Sequence, residues 1–378
     1  MEDVALFRHV PTLRRTVPWV RLGDWPTPVE PLRLAGGPAG VDLWVKREDR
    51  SNARYGGNKI RTLEAWLGLA RAAGAQRIWA TGAYGSNHAL ATAVHASAAG
   101  LAAGAILFPQ PASVTARANL SALIAAGPEV VQLDSLSALP FAMRRVARAE
   151  RRAGTSAVMM EPGGARPEGA FGALSAAFEL ADQVATGVCP APAHIVLAVG
   201  SNCTTAGLLA GLHAAAALGV GFRRPPAVTA VRVTPWPVTS ANRIAWLAYR
   251  TLARFDALRG HDTGASYRAL RASLEVTGDF IGKGYGHATA RGLRAAARFA
   301  AAGGPPLDLV YSAKSGAAFL DLAARGSAGP LLFWATKSSA PLAAAGPEQL
   351  EAMPPALRRW YRGGHETGQP TRRRYGAL

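Results

Sequence analysis

The run Ile195-Val196-Leu197-Ala198-Val199-Gly200-Ser201-Asn202-Cys203-Thr204-Thr205-Ala206-Gly207 passes from an apolar, β-branched segment through small and hydroxylated residues into a segment of helical composition. A strand over Ile195 to Val199, a tight loop and a helix over Thr205 to Ala217 fit it. The same succession recurs on both sides. Strands are predicted over Leu43 to Arg47, Arg77 to Thr81, Gly104 to Phe108, Glu129 to Leu133, Ala157 to Met160, Ala227 to Val233, Leu307 to Tyr311 and Leu331 to Trp334. Helices are predicted over Lys59 to Ala73, His88 to Ala99, Thr115 to Ala126, Glu168 to Val184, Val238 to Leu258, Thr289 to Ala302 and Ser315 to Ala324. Strands alternating with helices imply parallel sheets covered by helices, the α/β class. Ligands of such sheets bind at the carboxyl ends of the strands, where loops turn into helices.

Two other junctions share the small, polar composition that such a site requires. They are Thr81-Gly82-Ala83-Tyr84-Gly85-Ser86-Asn87-His88 and Tyr311-Ser312-Ala313-Lys314-Ser315-Gly316. No internal repeat is evident.

With 378 residues the chain has room for about two domains at roughly 100 to 150 residues each. At 49% hydrophobic and 17% charged it is too apolar to stay disordered. It lacks a run of about 18 uncharged apolar residues, and Glu2 and Asp3 stand where a secretory signal would be basic, so a cytoplasmic protein without a membrane span is expected. Cys189 and Cys203 are the two cysteines; they build no disulfide framework or zinc spacing, and no metal is expected. The net charge of +18 invites nucleic acid as a partner. Its distribution argues otherwise: Arg144, Arg145, Arg148, Arg151 and Arg152 lie along a helical segment, and Arg358, Arg359, Arg362, Arg372, Arg373 and Arg374 gather near the end, without a recognised binding motif. A solvated, Arg-biased surface is the simpler reading. Residues 361–378, with Gly363, Gly364, Gly368 and Pro370 among arginines, read as a mobile basic tail.

The chain holds five lysines, Lys46, Lys59, Lys283, Lys314 and Lys337. A protein that otherwise uses Arg has reason to keep Lys where an amine must lose its proton, as Schiff-base chemistry requires. Lys59 lies in Tyr55-Gly56-Gly57-Asn58-Lys59-Ile60-Arg61, a Gly-rich loop opening a helix, a place that otherwise prefers acids. Gly200 to Thr205 reads as an anion cradle, because backbone N–H groups converge at a helix start. An ordinary capped helix would carry Ser or Thr there too. The patterns GxxxxGK[ST] and GxGxxG are absent, so it is not a nucleotide loop of those kinds. Ser86 and Asn87 stand at another helix entrance, where an N-cap pair is the plain alternative.

The order of these segments resembles the pyridoxal-phosphate enzymes of the tryptophan-synthase-β-like fold, fold type II, and within them the branch of D-cysteine desulfhydrase and 1-aminocyclopropane-1-carboxylate deaminase. The resemblance runs from Leu22-Gly23-Asp24-Trp25-Pro26-Thr27-Pro28 through Lys46-Arg47-Glu48-Asp49, Gly57-Asn58-Lys59, Gly82 to His88, Pro162-Gly163-Gly164, Gly200 to Gly207, Gly284-Tyr285-Gly286 and Leu307 to Lys314. It implies two open twisted sheets covered by helices, with pyridoxal 5′-phosphate in the cleft between two domains. Lys59, flanked by Asn58, matches the lysine that holds the cofactor and moves protons at Cα. Asn87 matches the residue that hydrogen-bonds its phenolic oxygen. Ser86 matches a contact to the substrate carboxylate that assists proton transfer. Gly200, Ser201, Asn202, Cys203, Thr204 and Thr205 match the phosphate loop, and Tyr285 and Tyr311 match two tyrosines over the substrate. A homodimer and a small amino-acid substrate are implied as well.

Three departures from that pattern matter. The family's Gly-Ser-Gly-Gly-Thr is here Gly200-Ser201-Asn202-Cys203-Thr204; Asn tolerates φ > 0 but Cys does so poorly, so the loop is expected to have a different backbone or to bind phosphate less closely. The family's His-Thr-Gly-Gly is here Ala335-Thr336-Lys337-Ser338, so either Thr336 or Ser338 offers the hydroxyl facing the pyridine nitrogen. Lys337, where the family has Gly, is either a surface residue or a recruiter of extra negative charge on a substrate. The Glu that follows the second tyrosine in the deaminase branch is here Ser312, which weakens the electron sink and favours the desulfhydrase side.

His88 and His95, seven apart, read as a satisfied structural pair rather than metal ligands. Ser86 lacks the Gly-x-Ser-x-Gly elbow of a hydrolase. Trp236 and Trp246 are expected to serve packing. The expected organisation is a large cofactor-binding domain of residues 1–63 plus 177–360 and a small inserted domain of residues 64–176. The expected activity is a pyridoxal-phosphate-dependent lyase that converts a small amino acid to a keto acid and ammonia. The alternatives are a cyclopropane deaminase, a β-replacement synthase and a binding-only descendant.

Overall fold

Short, mostly apolar runs pair into two sheets in a computed structural model that describes residues 4–35, 41–326 and 329–363. The strands are β1 (Val29–Pro31), β2 (Leu43–Lys46), β3 (Arg77–Ala83), β4 (Ala102–Phe108), β5 (Glu129–Gln132), β6 (Ala157–Met159), β7 (His194–Val199), β8 (Ala227–Arg232), β9 (Leu274–Thr277) and β10 (Leu331–Trp334). One sheet has the order β1-β2-β10-β7-β8-β9 and the other β5-β4-β3-β6. Among the strands of the described residues only the β1–β2 pairing is antiparallel; in register, Leu332 of β10 faces Trp44 of β2 and Ile195 of β7. The chain therefore has the α/β architecture that the alternation implies and the two sheets that the resemblance implies. Two strands were not legible: β1 ends in Pro31 at a sheet edge, and β9 is a short, half-buried edge strand.

One predicted strand is corrected. Leu307 to Tyr311 is a turn, because the Asp308 carboxylate accepts the N–H groups of Val310 (3.0 Å), Tyr311 (2.8 Å) and Ser312 (3.1 Å). Those donors would otherwise serve a ladder, and they cap a helix that starts at Ser312, three residues earlier than predicted. The Arg144 to Arg152 segment lies in a helix over Leu139–Arg152. Arg358, Arg359 and Arg362 lie in a helix over Pro355–Arg362. The readings placed on Glu2, Asp3, Gly364, Gly368, Pro370 and Arg372 to Arg374 fall outside the described residues.

Three helices meet backbone to backbone beneath the large sheet: Lys59–Ala72, Pro167–Ala185 and Cys203–Ala217. Glycine allows it. A Cβ at Gly172 would stand 1.9 Å from the Arg61 carbonyl oxygen, and one at Gly207 would stand 2.2 Å from that of Ala170. A buried ion network ties two of these helices, Lys59–Ala72 and Pro167–Ala185, to β2. Lys46 Nζ donates to Glu179 Oε1 (2.6 Å), Gln183 Oε1 (2.8 Å) and the Thr27 carbonyl (2.8 Å), and Arg61 bridges Glu48 and Glu179. The Arg61 guanidinium also lies 3.5 Å from the centre of the Trp25 ring. Lys46 is thus a structural lysine, and the network anchors the first turn of the helix that Lys59 opens.

The packing expected of Trp236 and Trp246 is corrected: they are 71% and 54% exposed. The helix predicted from Val238 begins at Ala241, which leaves Trp236 in a loop. Trp246 stacks on Tyr249 at the surface, at a centroid distance of 5.7 Å. The expected domain limits at 63/64 and 176/177 fall inside the Lys59–Ala72 and Pro167–Ala185 helices. Among the described residues no helix is long and apolar enough to cross a membrane.

Candidate active site

The loop before Lys59 is clamped to the exit of β10. Gly57 has φ +87°, and a Cβ there would stand 2.7 Å from the Thr336 carbonyl oxygen, so only glycine lets the two segments touch. The Asn58 N–H donates to that carbonyl (3.0 Å), and the Gly56 N–H donates to Ser338 Oγ (2.9 Å). Lys59 is the first residue of its helix. Burial lowers the proton affinity of its amine; the Cys203 thiol opposes that shift, and no carboxylate among the described residues does.

At the carboxyl end of β3, Ser86 caps the Asn87–His95 helix, its Oγ accepting the Ala89 N–H at 3.2 Å. That leaves its O–H free to donate at a helix N-terminus. His88 follows, buried, with neither ring nitrogen hydrogen-bonded among the described residues. Burial, with the Lys59 charge adding to it, lowers the His88 pKa to about 3, which keeps the ring neutral. His95 is bonded, Nε2 to the Tyr55 carbonyl at 2.8 Å. The expectation of a satisfied histidine pair therefore holds for His95 and not for His88.

At the end of β7 the loop resolves the question of φ. Asn202 takes the left-handed conformation (φ +69°), alone among the described non-glycine residues, and Cys203 is already helical. The predicted strain at Cys203 does not arise, because its neighbour carries the turn. The Cys203 thiol points to the Gly164 carbonyl (3.3 Å) and lies 3.8 Å from Thr62 Oγ1, and burial pushes it up to about 11. No side chain caps the Cys203–Ala217 helix, and the Thr205 hydroxyl is buried without a partner among the described residues. Asn58 Nδ2 donates to Thr204 Oγ1 at 2.8 Å, joining this loop to the Lys59 segment. Gly163 (φ +67°) packs on Ser201, where a Cβ would stand 2.2 Å from Ser201 Cβ and Oγ. An uncapped helix start with an orphaned hydroxyl is a receptor for an anion.

Tyr311 closes the other side, its ring 3.2 Å from where a Cβ on Gly200 would be. Its hydroxyl shares a 2.7 Å hydrogen bond with that of Tyr285, and burial raises both phenols above their ordinary value. Lys314 Nζ donates to the carbonyls of Ile281 (2.8 Å) and Gly284 (2.9 Å), which holds the loop that presents Tyr285. The Ser312 hydroxyl donates to Asp308 Oδ2 at 2.7 Å. At the exit of β10, Ser338 Oγ accepts two backbone N–H groups, from Gly56 and from Ala340, whereas the Thr336 side chain makes no hydrogen bond among the described residues.

Of the two readings of Lys337, the plain surface residue is corrected: it is half-buried, and its Nζ donates to Asn87 Oδ1 (2.8 Å), Asn119 Oδ1 (3.0 Å) and Tyr55 Oη (3.2 Å). Burial lowers its pKa to about 8, with the Asp308 charge opposing. Contacts thus link Asn58 to Thr204 and to the Thr336 carbonyl, Gly200 to Tyr311 and on to Tyr285, and Lys337, beside Ser338, to Asn87. Sequence reasoning missed Tyr55, Asn119 and Asp308; a lone amide in the apolar Ala118-Asn119-Leu120 run was the available signal for Asn119.

The family pattern described as "Pyridoxal-phosphate dependent enzyme" matches residues 20–336. The chain is 39% identical over 221 residues to nocardicin C-9′ epimerase of Nocardia uniformis subsp. tsuyamanensis, a match covering 57% of this chain and 64% of the epimerase, so less than two thirds of that relative's length. It is 28% identical over 326 residues to D-cysteine desulfhydrase of Salmonella choleraesuis, covering 84% of this chain and 92% of that one. A crystal structure of an ACC deaminase homologue superposes with a TM-score of 0.70 at 27% identity, covering 88% of this chain and 94% of that one.

Proposed function

The chain belongs to the pyridoxal-phosphate-dependent enzyme family, and we propose that within it the protein is a lyase that removes the β-substituent of a small amino acid and yields a keto acid and ammonia. Its cofactor is pyridoxal 5′-phosphate and its fold is that of the fold type II, tryptophan-synthase-β-like enzymes. The observation that carries the proposal is the Lys59 amine: desolvated, unopposed by any carboxylate among the described residues, and set at a helix start beside an uncapped anion receptor. The residues present fit the cofactor. The first-turn N–H groups of the Cys203–Ala217 helix and the orphaned Thr205 hydroxyl would hold its phosphate. Asn87 would donate to its phenolic oxygen from Nδ2, and Thr336, the less committed of the two candidate hydroxyls, would face its ring nitrogen.

When bound, the cofactor supplies an electron sink that acidifies the Cα–H of an attached amino acid. The remaining work belongs to side chains. Ser86, with a free O–H at the N-terminus of a helix, binds the substrate carboxylate. Lys59, whose lowered proton affinity keeps its amine available as a base, accepts the Cα proton. Tyr285 and Tyr311 share one hydrogen bond, so one hydroxyl proton of the pair stays available for the departing β-substituent. A neutral Thr336 rather than a carboxylate at the ring nitrogen suits a substituent that leaves readily. We further propose a small unit of residues 64–176, a homodimer and a cytoplasmic location; two free, buried cysteines suit a reducing compartment.

A second reading, epimerisation at Cα, is supported by the 39% identity to an epimerase and by His88, a buried neutral imidazole within range of the Lys59 charge. Incubation with D-cysteine, L-serine derivatives and 1-aminocyclopropane-1-carboxylate separates the readings. Keto acid and ammonia without an added nucleophile support the lyase. Dependence on an added thiol or amine would establish a synthase, and inversion without ammonia an epimerase. Turnover of the cyclopropane alone would establish the deaminase, and failure to exchange the Cα proton with deuterium a binding-only protein.

A further inference from the structure

Lys337 stands where the resembling family has glycine, and its surroundings give it a function of its own. A protonated lysine has three N–H donors and no acceptor. Here all three are spent, on Asn87 Oδ1, Asn119 Oδ1 and Tyr55 Oη. An amide facing such a donor must turn its oxygen toward it. Lys337 therefore sets the orientation of two amides at once. Asn119 Nδ2, thus directed away, donates to Asn87 Oδ1 (2.8 Å) and to the Gly85 carbonyl (2.9 Å). Tyr55 Oη donates to Asn87 Oδ1 as well, at 2.9 Å. The Asn87 oxygen receives three donors, and its Nδ2 keeps both N–H groups without an acceptor among the described residues. A flipped Asn87 would face all three donors with N–H groups.

We propose that Lys337, with Asn119 and Tyr55, is a positioning device that locks the Asn87 amide with Nδ2 directed into the cleft, ready to donate to the phenolic oxygen of the cofactor. The proposal rests on the reading of Asn87 as the residue that meets that oxygen. It assigns the added lysine a role in holding the cofactor rather than in choosing the substrate. Among the described residues Lys337 has no carboxylate partner, so its charge is held by neutral oxygens and, at longer range, by Asp308. That arrangement costs desolvation and contributes little as a structural pair, which is why a purely structural role explains it poorly.

A double-mutant cycle on the full chain tests the device, read as the dissociation constant of pyridoxal 5′-phosphate and as the pH at which its visible band titrates. Lys337→Met should weaken binding at least tenfold and move that titration to higher pH, because the phenolic oxygen loses an oriented donor. In an Asn87→Ala background the same change should alter affinity less than twofold, since Lys337 acts through Asn87. Lys337→Arg, again donor-only, should stay within about threefold of the unchanged protein. Equal losses in both backgrounds, or no loss in either, would overturn the proposal. If Lys337→Met does not fold, Asn119→Ala enters the cycle in its place with the same expectation. The two layers fail differently: Asn87→Ala binding cofactor as tightly as the unchanged protein defeats the reading of Asn87, whereas a weakened Asn87→Ala beside an unaffected Lys337→Met defeats the device alone.

Discussion

Replacing Glu179 by Gln keeps the shape of the side chain and removes one buried negative charge. Its Oε1 receives Lys46 Nζ (2.6 Å), Arg61 Nη2 (3.0 Å) and the Thr27 N–H (2.9 Å), while the Thr27 hydroxyl lies nearer Glu48 Oε1 (2.9 Å). Despite complete burial, the Arg61 and Lys46 charges hold its carboxyl down to about 2. An amide oxygen still accepts these donors, but it no longer offers the Lys46 and Arg61 cations a countercharge. Glu48 then faces two cations alone, and Lys46, whose pKa burial already lowers, sheds its proton rather than stay unpaired. The expected loss is about 3 kcal/mol, the low end of the range for a broken buried pair. The sign with pH follows. In the unchanged protein the depressed Glu179 pKa gives stability that is present above the ordinary carboxyl pKa and lost as pH falls toward 2. In the variant the folded state holds Lys46 neutral while the unfolded chain protonates it, so the deficit should narrow as pH rises from 7 toward 10. Urea denaturation at several pH values measures both. A loss below about 1 kcal/mol, or a deficit that does not change with pH, would refute the account of the network.

Gly163→Ala should cost roughly 2–5 kcal/mol, from a left-handed backbone and from overpacking on Ser201, and should weaken cofactor binding; adding Ser201→Gly should return the packing part only, as thermal melts and cofactor titration would report. Thr205→Val should leave the cofactor-free protein as stable or more so, because the buried hydroxyl has no partner, while lowering cofactor affinity roughly tenfold or more; equal affinity would remove Thr205 from the phosphate site. Lys314→Met should free the Ile281–Gly284 loop and lower kcat far more than it lowers Tm, and a protein with unchanged kcat would show that Tyr285 needs no such support.

Much of the fold was legible because its signals are local. Apart from Leu307 to Tyr311, every predicted strand forms with ends within two residues of those expected, since buried parallel strands are continuous apolar runs. Leu307 to Tyr311 misled because Asp308 uses its side chain to cap the next helix, a choice that composition does not reveal. That Lys59 and the Gly200 to Thr205 loop lie at helix starts was readable from residue type. Which residue of the phosphate loop would take the left-handed turn depended on the backbone, and Asn202 rather than Cys203 takes it. Lys337, Asn119 and Tyr55 come from three distant segments, 55, 119 and 337, so only the folded chain brings them to Asn87.

The central claim is that one amine among the five lysines carries the cofactor. Borohydride treatment of the protein incubated with pyridoxal 5′-phosphate, followed by peptide mass mapping, tests it. The account predicts a phosphopyridoxyl group on Lys59, absent from Lys59→Ala. Labelling of Lys314 or Lys337 instead, or no saturable labelling at any lysine, would contradict it.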